Sequence, residues 1–194
     1  MIRKPVWRHL CLLLLTAVVL TAGVCLFRVG YRRYFRKVYP LEHEALVEAA
    51  SEEFDIPASL IYAIIHTESS FEEDATSHAQ AKGLMQLTDD TFQWALMRAG
   101  ETGKYTTDAL YDPQVNIHYG VYVLKLLGEQ FPDMQTVLAA YNAGQGRVKE
   151  WLRDPAYSAD GEHLDAIPYA ETAEYVRRVE KTRQRYRQLY RLDD

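Results

Sequence analysis

The sequence predicts a mainly α, single-domain protein behind an N-terminal transmembrane helix. Three observations carry this. Residues 10–27 (LCLLLLTAVVLTAGVCLF) form one uncharged apolar run. From Leu41 onward, apolar residues recur at helical spacing between turn and cap signals. No stretch keeps the strict alternation of a half-buried strand, and no repeat or low-complexity tract interrupts the pattern.

Taken in order, residues 1–9 are a basic flank carrying Arg3, Lys4 and Arg8, and residues 10–27 are the expected anchor. Eighteen helical residues span about 27 Å, close to the hydrocarbon thickness of a bilayer, and a soluble helix of that length would not be apolar on every face. The run is longer than a signal-peptide core, and no A-x-A site precedes a polar mature start, so an uncleaved anchor is expected over a cleaved signal. Ala22, Gly23 and Val24 before Cys25 fit a lipoprotein site poorly. Residues 28–41 read as a basic linker with Arg28, Arg32, Arg33, Arg36 and Lys37.

Eight of the 22 basic residues fall before Val38, while all 27 acidic residues lie from Glu42 onward, which leaves residues 38–194 at −13. A domain so acidic is no nucleic-acid binder. Both cysteines, Cys11 and Cys25, sit in the apolar run, so the domain has neither disulfide nor thiol chemistry. The six histidines show no paired-ligand spacing, and no metal site is expected.

The domain, residues 42–190, reads as a succession of helices. The first covers about Leu41–Phe54. The second starts near Pro57, signalled by Asp55 and the proline, and ends near Glu68. A loop over 70–83 precedes a helix from Thr88 to Ala99, closed by Gly100. Asp112-Pro113 opens a longer helix to about Gln130, with Val115, Tyr119, Tyr122, Val123, Leu126 and Leu127 on one face. Helices over 133–142 and 146–152 follow, separated by Gly144. The last, Tyr169–Tyr190, turns Tyr175, Val176, Val179 and Tyr186 inward.

Glu68 is the first candidate for chemistry. Ile61, Ile64 and Ile65 precede it by seven, four and three residues, so all four share one helix face. A carboxyl closing an apolar stripe is partly desolvated, which raises its pKa and keeps it protonated near neutrality. That is what a general acid toward a glycosidic oxygen requires. An isolated glutamate at a helix end would more often turn to solvent, but Glu68 is not isolated.

It stands in TESSF (67–71), followed by Ser77, AKGLMQL (81–87), AAYNAGQGRV (139–148) and IPYAETAEYV (167–176). This ordered set resembles the lytic transglycosylases of the soluble-lytic (SLT) type, over nearly the whole domain and none of the anchor. The resemblance implies a goose-lysozyme-like helical fold and peptidoglycan glycan strands as substrate. It places the catalytic acid/base on Glu68, a sugar-side serine on Ser77 and a substrate hydrogen-bonder on Gln86. Tyr141 then stands close to Glu68, Asn142 beside it, and Glu171 on the cleft wall as a sugar- or peptide-binding carboxylate. Each keeps a plainer alternative. Tyr141 aligns with Met134, Val137 and Leu138 as a core aromatic would, with Glu68 a ready partner for its hydroxyl. Gly83 and Gly144 suit turns, and Glu171 suits the first turn of any helix. Gln80 stands where glycine is common, so a different loop path is expected there. Thr88-Asp89 replaces a frequent Met-Pro, removing an apolar contact.

Glycoside hydrolysis commonly uses two carboxyls. The resemblance implies one: Glu68 gives its proton to the oxygen leaving C1 of N-acetylmuramic acid, then accepts the C6 hydroxyl proton as a 1,6-anhydro ring closes. No cofactor or metal is needed. The rivals are a hydrolytic lysozyme, with Glu72, Glu73 or Asp74 as second carboxylate, and a non-catalytic peptidoglycan-binding envelope module. Such a substrate places the domain on the extracytoplasmic side of a single-pass anchor. The Lys/Arg count flanking the apolar run points the other way.

Overall fold

The computed structural model describes residues 4–193, so residues 1–3 of the expected basic flank lie outside it, as does Asp194. The chain divides into two units, residues 1–40 and 41–194.

In the first, α1 is a single helix, Lys4–Val38, of 35 residues. From Trp7 it is long and apolar enough to cross a membrane by length and composition, and none of its apolar stretch is buried. The segment expected as a linker is therefore helical as far as Val38. The reason is local. No proline occurs between Pro5 and Pro40, and Phe27, Tyr31, Phe35 and Tyr39 are spaced by four, with successive ring centroids 6.1, 4.3 and 6.1 Å apart. Pro40 then disfavours helical backbone at Tyr39.

In the second unit, the helices are α2 Glu44–Phe54, α3 Ala58–Glu68, α4 Asp89–Ala99, α5 Pro113–Gly128, α6 Met134–Ala143, α7 Gln145–Leu152 and α8 Ala170–Tyr190. A 3₁₀ turn, Thr107–Tyr111, precedes α5, and no β-strand occurs among the described residues. The expected boundaries hold to within a few residues because the caps are in the sequence. Thr88 accepts from the Thr91 N–H, and Asp112 from the Gln114 and Val115 N–H groups with Pro113 next in line. Asp133 accepts from the Thr136 N–H, and Gly100 takes a left-handed φ of 73°.

Two elements differ from expectation. α5 is buried not on one face but nearly all round, with Asn116, Ile117, Gly120, Val121 and Leu124 also inside; it packs against α2, α4 and α6 and is the axis of the domain. α3 has no side-chain cap of its own. Instead the Asp193 carboxylate accepts the Ser59 N–H at 3.2 Å and also the Ser59 hydroxyl. The first turn of α3 is thus closed by a residue 134 positions away. α3 packs most extensively on α8, and residues Ser59–Ile65 are buried on all sides.

Candidate active site

Glu68 is the last residue of α3, at the negative end of the helix dipole, where a carboxylate is disfavoured. Burial pushes its pKa up to about 7, against the partial relief given by the Tyr175 hydroxyl and the Arg178 guanidinium, both from α8. The Tyr175 hydroxyl is itself buried and, among the described residues, makes no well-formed hydrogen bond; its dipole still favours the charged form of Glu68, more than Arg178 does. The acid is held protonated near neutrality, while the charge left after proton loss still finds a dipole and a cation.

The cleft in front of Glu68 encloses about 580 Å³, and Ser77, Gln86, Tyr141, Asn142 and Glu171 line it together with the acid. All six residues singled out from sequence therefore meet in one cavity. Three arrive with side-chain contacts that sequence did not reveal. The Tyr141 hydroxyl donates to the Met85 carbonyl at 2.8 Å, not to Glu68. The Gln86 amide nitrogen donates to the Ala75 and Gly83 carbonyls at 3.1 and 2.9 Å, which leaves its oxygen as the group free to face a ligand. The Ser77 oxygen accepts from the Ala81 N–H at 3.1 Å. Glu171 is exposed in the first turn of α8. Glu72, Glu73 and Asp74 are exposed and do not line the cleft.

The wall opposite α3 is the irregular segment 69–88, held by two isolated bridges, Thr76–Lys82 and Lys82–Leu87. Ser70, Phe71, Gln80 and Gln86 all take positive φ there, a clustering of backbone strain typical of functional sites. Gln80, with φ 61°, keeps a left-handed backbone of the kind glycine favours. Lys82 pairs with Asp89 at 2.8 Å and Thr88 caps α4, so the Thr-Asp pair supplies a cap and an ion pair.

What holds that wall was missed by sequence reasoning. Asn116, fully buried on α5, accepts from the Met85 N–H at 2.7 Å and donates to the Lys82 and Leu110 carbonyls at 2.9 and 2.8 Å. Its amide gives the Met85 N–H and the Leu110 carbonyl of the 3₁₀ turn a partner, and the Lys82 carbonyl a second one beside the Leu87 N–H. Gly83, with φ 71°, has to be glycine, because a Cβ would lie 2.2 Å from the Leu110 carbonyl and 2.3 Å from the Asn116 amide nitrogen. The Ser69 hydroxyl, next to the acid, donates to the Leu84 carbonyl at 2.8 Å and ties the end of α3 to the same loop. Tyr175 was read as core and is buried there; its bearing on Glu68 was not read from sequence.

An all-helical domain with one protonated glutamate closing a buried helix, facing a polar-walled cleft, has the architecture of the lysozyme-like proteins. Residues 45–163 match the family model described as Transglycosylase SLT domain, and the chain belongs to that family. It is 33% identical over 143 residues to the soluble lytic murein transglycosylase of Escherichia coli K12, covering 73% of this chain and 22% of that one. It is 32% identical over 163 residues to membrane-bound lytic murein transglycosylase C of Haemophilus influenzae (strain PittGG), covering 73% of this chain and 46% of that one. An inactive mutant of the lytic transglycosylase Slt from Pseudomonas aeruginosa superposes with a TM-score of 0.66 at 33% identity, over 77% of this chain and 24% of that one. The chain thus spans less than half the length of these curated relatives.

Proposed function

We propose that this chain is a peptidoglycan lytic transglycosylase that cleaves the β-1,4 bond between N-acetylmuramic acid and N-acetylglucosamine, leaving a 1,6-anhydro end. The observation that carries this is the state of Glu68: a half-buried acid lining the cleft, its pKa raised to about 7. Its carboxyl proton goes to the oxygen leaving C1, and the substrate's own N-acetyl group shelters the C1 cation. Glu68, now a carboxylate steadied by the Tyr175 dipole and Arg178, takes the C6 hydroxyl proton as that oxygen bonds to C1. The proton count closes, Glu68 returns to its starting form, and no water is consumed. A pKa near the working pH suits a group that must first give and then take a proton.

Ser77, the Gln86 oxygen, Tyr141, Asn142 and Glu171 are the proposed sugar contacts. A hydrolytic outcome would need a second carboxylate placed to activate water. Glu171 is the one other carboxylate lining the cleft, and its exposure suits binding. The anchor helix and a membrane-bound relative support membrane attachment, and the substrate supports an extracytoplasmic domain. The deciding experiment is the mass of fragments released from purified peptidoglycan. Fragments one water lighter than reducing-end sugars are expected; reducing ends alone would make the chain a lysozyme.

A further inference from the structure

The apolar run ends at Phe27, but α1 continues as a helix through residues 28–38. At about 1.5 Å per residue that part is about 16 Å long, against a headgroup layer of roughly 5–8 Å beyond the hydrocarbon. With about 3.6 residues per turn its side chains sort into two sides. Phe27, Tyr31, Tyr34, Phe35 and Val38 recur at the spacing of one helix face. Arg28, Arg32 and Arg36 are spaced by four on the other side, with Arg33 and Lys37 beside them; Val29 is the one apolar side chain among them. Phe27, Tyr31, Tyr34 and Val38 are exposed, and so are all five basic residues. Tyr34 sets its ring edge-on to Phe35, centroids 5.3 Å apart, so the aromatic face is one continuous surface. No carboxylate precedes Glu42, so α1 carries this positive charge uncompensated within its own length.

We propose that residues 28–38 of α1 are a docking surface for anionic phospholipid headgroups, with the aromatic face bedded in the membrane interface and the basic side chains holding the phosphates. The inference rests on the membrane-attachment part of the reading above and is independent of glycan cleavage. Three arguments select this occupant. The two-sided segment starts where the span ends, so headgroups are the first chemistry it meets on leaving the hydrocarbon. Its C-terminal end points away from the bilayer, and helical side chains lean toward the N-terminus; the arginines therefore reach back to the membrane surface rather than out into water. Arg28 and Arg32 border the aromatic face on one side and Lys37 on the other. In that arrangement rings enter the interface while long cationic stems rise to phosphate oxygens, which guanidinium groups take in a paired geometry. Tyrosine also belongs to the aromatic belts of membrane interfaces. The docking needs only headgroup charge and so holds for either leaflet. The five cations that oppose an extracytoplasmic domain in the Lys/Arg count have, on this account, a lipid to bind.

The test reconstitutes the full chain in phosphatidylcholine vesicles. Electron spin resonance then measures how far spin-labelled phosphatidylglycerol is preferred over spin-labelled phosphatidylcholine at the protein's lipid boundary. Each basic side chain near a charged surface contributes about fivefold in association. An overall preference of at least about fivefold is expected, most of it lost in about 0.5 M salt. The combined variant Arg28→Gln, Arg32→Gln, Arg33→Gln, Arg36→Gln and Lys37→Gln should show none. Glutamine favours helix; if that variant fails to insert, Arg28→Gln with Arg32→Gln and Lys37→Gln takes its place and should lose most of the preference. Depth is read separately, in a Cys11→Ser, Cys25→Ser background. A spin label on the Tyr34→Cys variant should be reached by oxygen and shielded from a water-soluble nickel complex, and one on the Arg33→Cys variant the reverse. No preference in wild type, or an undiminished one in the glutamine variants, overturns the proposal, and so does equal exposure of the two labels. Dipolar broadening of the Tyr34→Cys label that vanishes on dilution with unlabelled chain assigns the aromatic face to a second copy and overturns it too. Wild-type chain washed off the vesicles by carbonate sinks membrane attachment and docking together, and is seen before any lipid preference is read.

Discussion

On the proposed reading the chemistry rests on one carboxyl, and its environment dictates how it should respond to pH. The Glu68 pKa rises from 4.5 to about 7 on folding, so the folded chain holds this proton more tightly than the unfolded one. The resulting stabilisation is complete below about pH 4.5 and is lost as pH climbs through 7, a change of roughly 3 kcal/mol. Glu68→Gln has no proton to lose. Its stability relative to wild type should therefore grow by that amount between pH 4.5 and 7.5 in denaturant titrations; parallel curves would show an ordinary solvated carboxyl. Turnover should follow the acid form, with kcat/KM falling tenfold per unit above about pH 7. The Gln variant should fold, bind strands and lose about 10² to 10⁴-fold in rate. Glu171→Gln should weaken turnover mainly through KM. Loss as deep as that of Glu68→Gln would instead make Glu171 a second catalytic group.

At the scale of elements, the site is a rigid helix end facing a loop that cannot hold itself. Asn116 supplies two hydrogen bonds to that loop from α5 and a third to the 3₁₀ turn at Leu110. Asn116→Leu keeps the volume but leaves the Met85 N–H and the Leu110 carbonyl unpaired, and the Lys82 carbonyl with the Leu87 N–H alone, at about 1–3 kcal/mol for each unpaired group that water cannot reach. A large drop in melting temperature is expected, with turnover lost beyond what the fraction unfolded explains; a near-neutral effect would show that the loop is held elsewhere. The helices were legible because their ends are written locally, in Thr88, Asp112-Pro113, Asp133 and Gly100. Glu68 was legible from the isoleucines beneath it. Asn116 was not, since a buried amide on a helix looks like any polar residue until the loop it serves is folded against it. The cap that Asp193 gives α3 was invisible for the same reason: its partner is 134 residues away. That α1 runs on to Val38 was not read, because charge was taken as the mark of a linker, although no proline falls in residues 28–38.

At the scale of the molecule, an acidic domain follows a basic, aromatic helix, and function and charge disagree about topology. On the proposed reading, protease added to intact protoplasts should digest residues 41–194 and spare the anchor. A domain protected until lysis would remove it from peptidoglycan. The order of the chain carries one more consequence. Glu68 lies on α3, yet Tyr175 and Arg178, which tune it, and much of the packing that buries its helix come from α8, over a hundred residues later. At roughly 5–20 residues per second, the ribosome delivers the acid some 5–20 seconds before its surroundings. Through that interval Glu68 is an ordinary carboxylate, ionised and unable to donate. On the proposed reading the chain is thus born disarmed, and one released before Ala170 should show no cleavage at all. On that reading, late arrival of the last helix keeps glycan cleavage silent until synthesis is nearly done.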